Sequence, residues 1–267
     1  RVLVVGGGDG GSAREALRHP DVGHVDFVDI DAEVLRASRE LLPSIWRHPH
    51  STADQPLALE DDPRLNIRVM DGFEFLKDAE GEGYDLIVVD ASDPVGPGSA
   101  LYTDSFYASL RARLRPGGAV SVQGGSFWYL PAVFRTVYHG LKSSFPVVKP
   151  YQCFTSVYPG GIWNLQVATL GDDPAEVDPE KVSAITGAPL EWYTAHTHAA
   201  AFHLPPIAYA ALEIPPAGMS AAGADSDGSF DHGSLEQKNN VESSSLLSQA
   251  KKDLSSIMGF QNLSDKA

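Results

Sequence analysis

The sequence predicts an α/β fold in which a mostly parallel β-sheet is covered by helices on both faces. Short apolar runs alternate with stretches of helical periodicity through the first half of the chain, which favours parallel strands joined by helices. A glycine-rich turn joins the first apolar run directly to the first helical stretch. Farther along, a tight turn separates two more apolar runs and predicts an antiparallel hairpin at the end of the sheet.

The parallel part of the sheet is predicted from five apolar runs and the helices that follow them. The predicted strands are Val2–Val5, Val25–Asp29, Leu65–Val69, Leu86–Asp90 and Ala119–Gln123. The predicted helices are Ser12–Arg18, Ala32–Leu41, Phe73–Lys77, Ser105–Leu114 and Leu130–Ser144. Because crossovers between parallel strands are right-handed, these elements build a Rossmann-like, doubly wound sheet.

The end of the sheet is predicted to be an antiparallel hairpin. Its strands are Val147–Phe154 and Trp163–Leu170, and the turn "YPGG", Tyr158–Gly161, lies between them. Such a hairpin on a parallel sheet is more typical of class I methyltransferase-like folds than of dehydrogenases. Residues 178–212 are predicted to form a short helix and a docking segment, and Pro43–Pro63 a surface insertion.

Length and composition divide the chain into two parts. Residues 1–212 carry the strand and helix patterns, whereas residues 213–267 are rich in Ser, Gly, Ala, Asp and Asn, which predicts a disordered tail. The first strand follows Arg1 at once, so we expect an N-terminal part of the protein to precede this chain. The single cysteine, Cys153, excludes an internal disulfide framework and favours a cytoplasmic setting.

The net charge of −15 limits the classes of partner. An acidic protein disfavours nucleic acid and anionic membranes and suits cationic ligands. No run of 18 apolar residues occurs, so the sequence predicts no membrane-spanning helix.

Aspartates stand at or just after the ends of the first four predicted strands. They are Asp9, Asp29, Asp71 and Asp90, and Asp93 follows three residues later. In an open parallel sheet, ligands bind beyond the carboxyl ends of the strands, so these carboxylates are expected at one site. Each one alone is also explained as a turn former or a helix N-cap.

The glycine-rich turn raises the question of which nucleotide it accepts. Gly6, Gly8 and Gly11 satisfy the dinucleotide pattern G-x-G-x-x-G, but Asp9 and Asp90 would repel a pyrophosphate there. A positively charged nucleoside without phosphates fits better. Asp29 is placed to accept hydrogen bonds from a ribose diol.

Several motifs together resemble the spermidine synthases, a family of polyamine aminopropyltransferases. They are, in chain order, "GGGDGG", "VDID", "MDGFEFL", "DASDPVGP", "LYTDSFY", "VQGG", "YPGG" and "WYTAHTHAAAFHLP". The resemblance covers residues 1–212 as one catalytic domain and implies that a β-rich domain of the family lies outside this chain. It also implies a homodimer or homotetramer.

The resemblance implies transfer of the aminopropyl group of decarboxylated S-adenosylmethionine to putrescine, giving spermidine and 5′-methylthioadenosine. Decarboxylated S-adenosylmethionine is a co-substrate, and neither a metal nor another cofactor is expected. His196, His198 and His203 are interpreted as packing or surface histidines.

Roles for the site residues follow from this chemistry. The donor is expected to contact Gly6, Gly8, Asp9, Gly11, Asp29, Asp71, Gly72 and Asp90. Asp9 would pair with the donor ammonium and disfavour a donor that keeps its carboxylate. Asp90 is predicted to be the general base, with Tyr158 orienting the amine. Asp93 and Gln123 are also expected to contact the amine.

Two neighbouring segments have predictions of their own. "DPVGPGSALYTDSF" is predicted to form a lid over both substrates. Phe127, Trp128 and Tyr129 are expected either to line the amine channel or to belong to the core.

Three alternatives remain open. One is spermidine as the acceptor, which would make spermine or thermospermine; Ile162, where many relatives have Gln, bears on this acceptor question. The second is an N-methyltransferase that acts on putrescine with S-adenosylmethionine. The third is a non-catalytic protein that binds polyamines or nucleosides.

Overall fold

The structure is a computed structural model of the chain, and it describes residues 1–78, 82–94, 96–178, 190 and 192–214. The described residues belong to one compact unit, and residues 215–267 lie outside the described part. The predicted disorder of the tail, 213–267, therefore stays a prediction. No helix of the described residues is long and apolar enough to cross a membrane.

The described residues form one seven-stranded sheet. The strands are β1 Val2–Gly6, β2 Val25–Asp29, β3 Leu65–Val69, β4 Tyr84–Asp90, β5 Leu114–Gly125, β6 Val147–Phe154 and β7 Ile162–Thr169. Their order is β3-β2-β1-β4-β5-β7-β6. The first five strands are parallel, and β7 lies antiparallel between β5 and β6. The predicted doubly wound sheet with a closing hairpin is confirmed.

Helices follow the strands as the sequence predicts. They are α1 Gly11–Leu17, α2 Ala32–Leu41, α3 Gly72–Asp78, α4 Asp104–Arg113, α5 Pro131–Ser144, α6 Ala195–Phe202 and α7 Pro206–Leu212. Asp31 caps α2 by accepting hydrogen bonds from two backbone amides, and Thr103 caps α4 by accepting one. By contrast, α1 begins after Gly10, which has a φ of 88° and no side chain to cap the helix.

The start of β5 differs from the prediction. The sequence predicts a strand from Ala119 because Pro116, Gly117 and Gly118 usually interrupt a strand. In the structure β5 begins at Leu114, which pairs with Tyr84 before the register shifts. Gly117 has a φ of 78°, so the Pro-Gly-Gly segment forms an irregularity within the strand instead of preceding it.

Buried side chains on both faces of the sheet explain why the strands read as continuous apolar runs. On one face, Leu3, Val5 and Ile87 pack against α4 and α5. On the other face, Val4 and Phe27 pack with residues of α1 and α2. The alternation along β1 thus divides its side chains between two cores.

The segment Pro43–Pro63 is largely exposed, as the sequence predicts, but apolar side chains anchor it in the core. Trp46 and Leu59 are buried with Phe27 in the second core. Trp46 also lies beneath the glycine-rich turn, because a Cβ on Gly10 would be 3.1 Å from its indole. The segment therefore supports the turn from below.

The predicted docking segment at 178–212 contains α6 and α7, and residues 179–189 and 191 lie outside the described part. Leu212 is fully buried, and Arg135 on α5 donates a 2.9 Å hydrogen bond to the Ala211 carbonyl. These contacts hold α7 against α5.

Candidate active site

A cavity of about 570 Å³ opens at the carboxyl ends of the parallel strands. Four of the predicted aspartates line it, and so do three predicted glycines and the hairpin tyrosine. These residues are Gly6, Gly8, Asp9, Asp29, Asp71, Gly72, Asp90 and Tyr158. The remaining predicted site residues, Gly11, Asp93 and Gln123, are not among its lining residues.

The glycine-rich turn is held tightly against the end of β4. Gly6 and Gly7 have φ values of 80° and 68°, and the Gly7 amide donates a 2.7 Å hydrogen bond to the Asp90 carbonyl. A Cβ on Gly6 would lie only 2.3 Å from that carbonyl oxygen. Both the backbone conformation and the space require glycine here.

Asp9 is exposed and lines the cavity. Its Oδ1 accepts a 2.8 Å hydrogen bond from the Gly11 amide. Gly11 thus shapes the turn around Asp9 instead of lining the cavity. The arrangement leaves a negative charge at the mouth of the turn, where a phosphate would be repelled and a cation attracted.

Asp29 and Asp71 combine a structural bond with a place in the cavity wall. Asp29 Oδ1 accepts a 2.9 Å hydrogen bond from the Asp31 amide. Asp71 Oδ1 accepts bonds of 2.7 and 3.3 Å from the amides of Phe73 and Glu74 at the start of α3. Both aspartates therefore act as turn or cap residues, as one interpretation of the sequence predicts. Both also line the cavity, as the other interpretation predicts.

Ser12 contacts the cavity-lining Asp90 and is a residue that sequence reasoning missed. Its hydroxyl donates a 2.7 Å hydrogen bond to Asp90 Oδ2, across 78 residues of sequence. No local pattern signals this contact, because it depends on the approach of α1 to the end of β4. The sequence shows only that a hydroxyl side chain follows the glycine-rich turn, and this does not identify its partner.

Gln123 joins three side chains beside the cavity. Its Nε2 donates to Asp93 Oδ1 at 2.8 Å, and its Oε1 accepts from Trp163 Nε1 at 3.1 Å. Nε2 also lies 3.4 Å from the hydroxyl of Tyr102. Because both ends of the amide are engaged by the protein, the expected contact of Gln123 with an amine stays a prediction.

Tyr102 closes this group from the loop after β4. Its hydroxyl donates a 2.8 Å hydrogen bond to the Ser92 carbonyl. Burial, together with the negative charge of Asp93, raises the pKa of Tyr102 well above its usual range. The phenol therefore stays neutral and remains a donor at physiological pH.

Tyr158 reaches the cavity from the turn between β6 and β7. Its ring stacks on Trp163, with centroids 4.2 Å apart and planes 24° from parallel. Its amide donates to the Thr155 carbonyl at 3.1 Å, and its carbonyl accepts from Gly161 at 3.0 Å. The turn is thus anchored while Tyr158 remains 44% exposed.

The aromatic residues after β5 lie elsewhere. Phe127 is buried and packs on Phe134. With Trp128 and Tyr129 it borders a separate cavity of about 330 Å³. Of the two predictions for these residues, membership of the core holds for Phe127, and none of the three lines the acidic cavity.

The predicted lid borders the acidic cavity. It forms a short helical turn, Gly96–Tyr102, and Gly98, Ala100 and Leu101 line the cavity wall. Its closure over substrates stays a prediction, and Val95 lies outside the described residues.

Another cavity, of about 580 Å³, lies between β6 and α6. Aromatic side chains dominate its wall, among them Tyr151, Phe154, Trp192 and Phe202. Its described lining includes no Asp, Glu, Lys or Arg. The two cavities are nearly equal in volume, so charge decides between them: a cation belongs in the cavity with four aspartates.

The three histidines near the end of the described chain are not grouped as metal ligands. His198 bonds to the Tyr193 hydroxyl at 2.7 Å and to the Pro174 carbonyl at 2.8 Å, whereas His203 bonds to the Ala199 carbonyl at 2.7 Å. Among the residues that the structure describes, no cluster of three or more His, Cys, Asp or Glu is arranged to hold a metal ion.

The sheet with its antiparallel hairpin and the acidic cavity at the strand ends define a methyltransferase-like α/β enzyme. More narrowly, the chain belongs to the spermine/spermidine synthase domain family, whose model matches residues 1–176. The family resemblance found in the sequence motifs is thereby confirmed.

Curated relatives support the same assignment. A polyamine aminopropyltransferase of Bacillus mycoides is 38% identical over 204 residues, which is 76% of this chain and 69% of the relative. A polyamine aminopropyltransferase of Moorella thermoacetica is 36% identical over 213 residues, 80% of this chain and 70% of the relative. The chain is therefore a member of a family of aminopropyl-transferring enzymes.

Solved structures agree with the fold. A crystal structure of spermidine synthase in complex with the transition-state analogue AdoDATO has a TM-score of 0.70 and 32% identity, covering 79% of this chain and 69% of that one. The spermidine synthase of Thermotoga maritima has a TM-score of 0.68 and 30% identity, with coverages of 80% and 67%.

Proposed function

We propose that this chain transfers the aminopropyl group of decarboxylated S-adenosylmethionine to putrescine, giving spermidine and 5′-methylthioadenosine. The observation that carries this proposal is the cavity in which Asp9, Asp29, Asp71 and Asp90 face a common space beside a glycine-rich turn. The names of the relatives support the transferred group and the class of acceptor.

The donor suits the charge and shape of the cavity. It carries a sulfonium and an ammonium but no anion, so a carboxylate in the glycine-rich turn attracts it. Asp29 would accept hydrogen bonds from the ribose, and Asp71 with Gly72 would meet the adenine. Gly6 and Gly8 allow the close approach of the nucleoside to the backbone.

Asp9 would pair with the ammonium of the donor. Ordinary S-adenosylmethionine carries an additional carboxylate at that end, which Asp9 would repel. The preference for the decarboxylated donor then follows from one exposed charge at the mouth of the turn.

The acceptor must lose a proton before it reacts. An alkylamine has a pKa of about 10.4, so almost all of it is protonated at pH 7. Asp90 would act as general base: an N–H bond of the ammonium breaks and an O–H bond forms on the carboxylate. The freed lone pair then attacks the aminopropyl carbon that is bonded to sulfur. The bond between that carbon and sulfur breaks, and its electrons move to sulfur.

This substitution is balanced in atoms and electrons and requires neither a metal nor a further cofactor. The sulfonium becomes the neutral thioether of 5′-methylthioadenosine, and the attacking nitrogen becomes a secondary ammonium. Positioning of the two substrates supplies the remaining acceleration. Tyr158, with Asp93 and Gln123, would orient the amine behind the reacting carbon.

The test is to incubate full-length protein with each donor and each amine and to identify the products by mass. Spermidine and methylthioadenosine from the decarboxylated donor and putrescine are expected. Spermine or thermospermine would assign spermidine as the acceptor, and N-methylputrescine would identify a methyltransferase. Absence of product from every pair would favour a binding protein.

The role of Asp90 is tested by Asp90→Asn. We expect turnover to fall by at least about 100-fold while the donor still binds. Asp54→Asn, an exposed aspartate of the segment after α2, is the matched control and should keep full activity. Unchanged turnover in Asp90→Asn would remove Asp90 from this role.

A further inference from the structure

The end of β4 is fixed by contacts with the glycine-rich turn. The Gly7 amide bonds to the Asp90 carbonyl at 2.7 Å. A Cβ on Gly7 would be 2.9 Å from Asp90 Oδ2. Besides admitting a ligand, this turn therefore fixes the Asp90 backbone and leaves room for its carboxylate.

Fixing the backbone does not fix the side chain. Asp90 is exposed, and an exposed carboxylate is free to exchange among staggered χ1 rotamers. Ser12 removes this freedom, because its hydroxyl donates to Oδ2 at 2.7 Å. A hydrogen bond from a neutral hydroxyl to a carboxylate is stronger than one between neutral groups.

Ser12 does not cap the helix in which it lies. It lies in the first turn of α1, where the cap residue is Gly10. Its hydroxyl reaches the end of β4. Among the described residues, it is the side chain that donates a hydrogen bond to the Asp90 carboxylate. A purely structural serine at this half-exposed site would affect stability only slightly when replaced.

We infer that Ser12 is a positioning residue for the base. By occupying Oδ2, the Ser12 hydroxyl directs the other oxygen, Oδ1, to receive the proton of the bound ammonium. The hydroxyl keeps its own proton throughout, so the transfer involves only the amine N–H bond that breaks and the Oδ1–H bond that forms. This inference rests on the proposed function of Asp90.

The experiment compares Ser12→Ala, Ser12→Thr and the control Ser109→Ala by steady-state kinetics in full-length protein. Ser109 is a matched serine on α4 whose hydroxyl bonds to the Ser105 carbonyl at 2.8 Å. We expect Ser12→Ala to lower kcat about tenfold while the KM of the donor changes less than twofold. Ser12→Thr keeps the hydroxyl and should recover most of kcat, and Ser109→Ala should match the wild type.

A double variant separates positioning from a general effect on the fold. If Ser12 acts through Asp90, then Ser12→Ala should cause no further loss in an Asp90→Asn background. The melting temperatures of Ser12→Ala and Ser109→Ala should agree with each other, so that the loss of kcat is not a loss of folded protein.

The outcomes distinguish the inference from the function on which it depends. A wild-type protein that forms product while Ser12→Ala keeps full kcat would overturn only the inference. So would a double variant that shows the product of the two separate losses, or a failure of Ser12→Thr to recover activity. A wild-type protein that forms no product from any donor and amine would overturn the proposed function itself.

Discussion

The ring of Tyr158 stacks on the indole of Trp163, and the Nε1 of that indole donates to Gln123 at 3.1 Å. Gln123 in turn donates to Asp93 at 2.8 Å. Two side chains therefore connect the hairpin turn that carries Tyr158 with the loop after β4 that carries Asp93. A substitution of Trp163 should therefore alter the positions of both Tyr158 and Asp93.

Trp163→Ala removes both the stacking surface and the indole donor. Since an aromatic pair contributes about 0.5–1.5 kcal/mol, we expect the KM of the amine to rise about tenfold with little change in donor affinity. Trp163→Phe keeps a stacking ring and should show about a threefold rise.

The control for this pair is Trp192→Ala, because Trp192 is exposed, stacks on Phe154 and borders the uncharged cavity. It should leave the KM of the amine unchanged. Equal effects of Trp163→Ala and Trp163→Phe would show that the indole N–H matters and the stacking does not.

Asp9→Asn tests the electrostatic selection of the donor. Removing the charge should lower kcat/KM for decarboxylated S-adenosylmethionine about tenfold, because the ammonium loses its partner. Binding of ordinary S-adenosylmethionine, measured by calorimetry, should stay the same or improve, since its carboxylate is no longer repelled. If Asp9→Asn weakened the binding of both donors equally, Asp9 would only maintain the shape of the turn and would not select the donor.

The sequence predicts the parallel sheet well because its strands are apolar runs bounded by turns. β2 and β3 have the predicted ends, Val25–Asp29 and Leu65–Val69. β5 begins earlier than predicted, because pairing with Tyr84 carries the strand through a Pro-Gly-Gly segment that local propensity rejects. Tertiary pairing decides such positions.

The site is predictable where it follows from topology and unpredictable where it depends on side-chain contacts. Parallel strands bring their carboxyl ends to one rim, so the cluster of four aspartates follows from strand order alone. The bond between Ser12 and Asp90 and the engagement of Gln123 depend on the approach of distant elements. No spacing in the sequence encodes those distances.

Gly72→Ala tests the close approach of α3 to β1. A Cβ on Gly72 would lie 2.4 Å from Cγ1 of Val5, which is fully packed, so the variant should lose about 1–3 kcal/mol of unfolding free energy. Urea denaturation measures this loss. Shortening the neighbour in Val5→Ala should make the double variant more stable than the sum of the two single effects predicts.

Gly23→Ala is the control for Gly72→Ala, because apart from the neighbouring residues in sequence no atom lies within 4 Å of the added Cβ. It should be neutral or slightly stabilising, since alanine reduces the entropy of the unfolded chain. A loss in Gly23→Ala equal to that in Gly72→Ala would contradict the steric explanation.

Asp62 is a buried carboxylate on the side of the molecule that supports the glycine-rich turn. Arg64 donates to it at 2.7 Å, and the ring of His48 bonds to it at 2.8 Å. Arg64 also donates to the carbonyls of Leu17 and Val22. The hydrogen bonds from Arg64, opposed by burial and helped by His48, hold the pKa of Asp62 well below its usual range.

This shift predicts a loss of stability in acid. Because the folded-state pKa of Asp62 lies below the unfolded value of about 3.9, its contribution to stability is complete above that value and is lost as the pH falls toward the folded pKa. Asp62→Asn should therefore cost about 3 kcal/mol of unfolding free energy at pH 7 and progressively less below about pH 4. Urea denaturation from pH 7 to pH 3 measures the difference, with the exposed Asp54→Asn as control. A difference between wild type and Asp62→Asn that stays constant over this range would show that the Asp62 charge does not stabilise the fold.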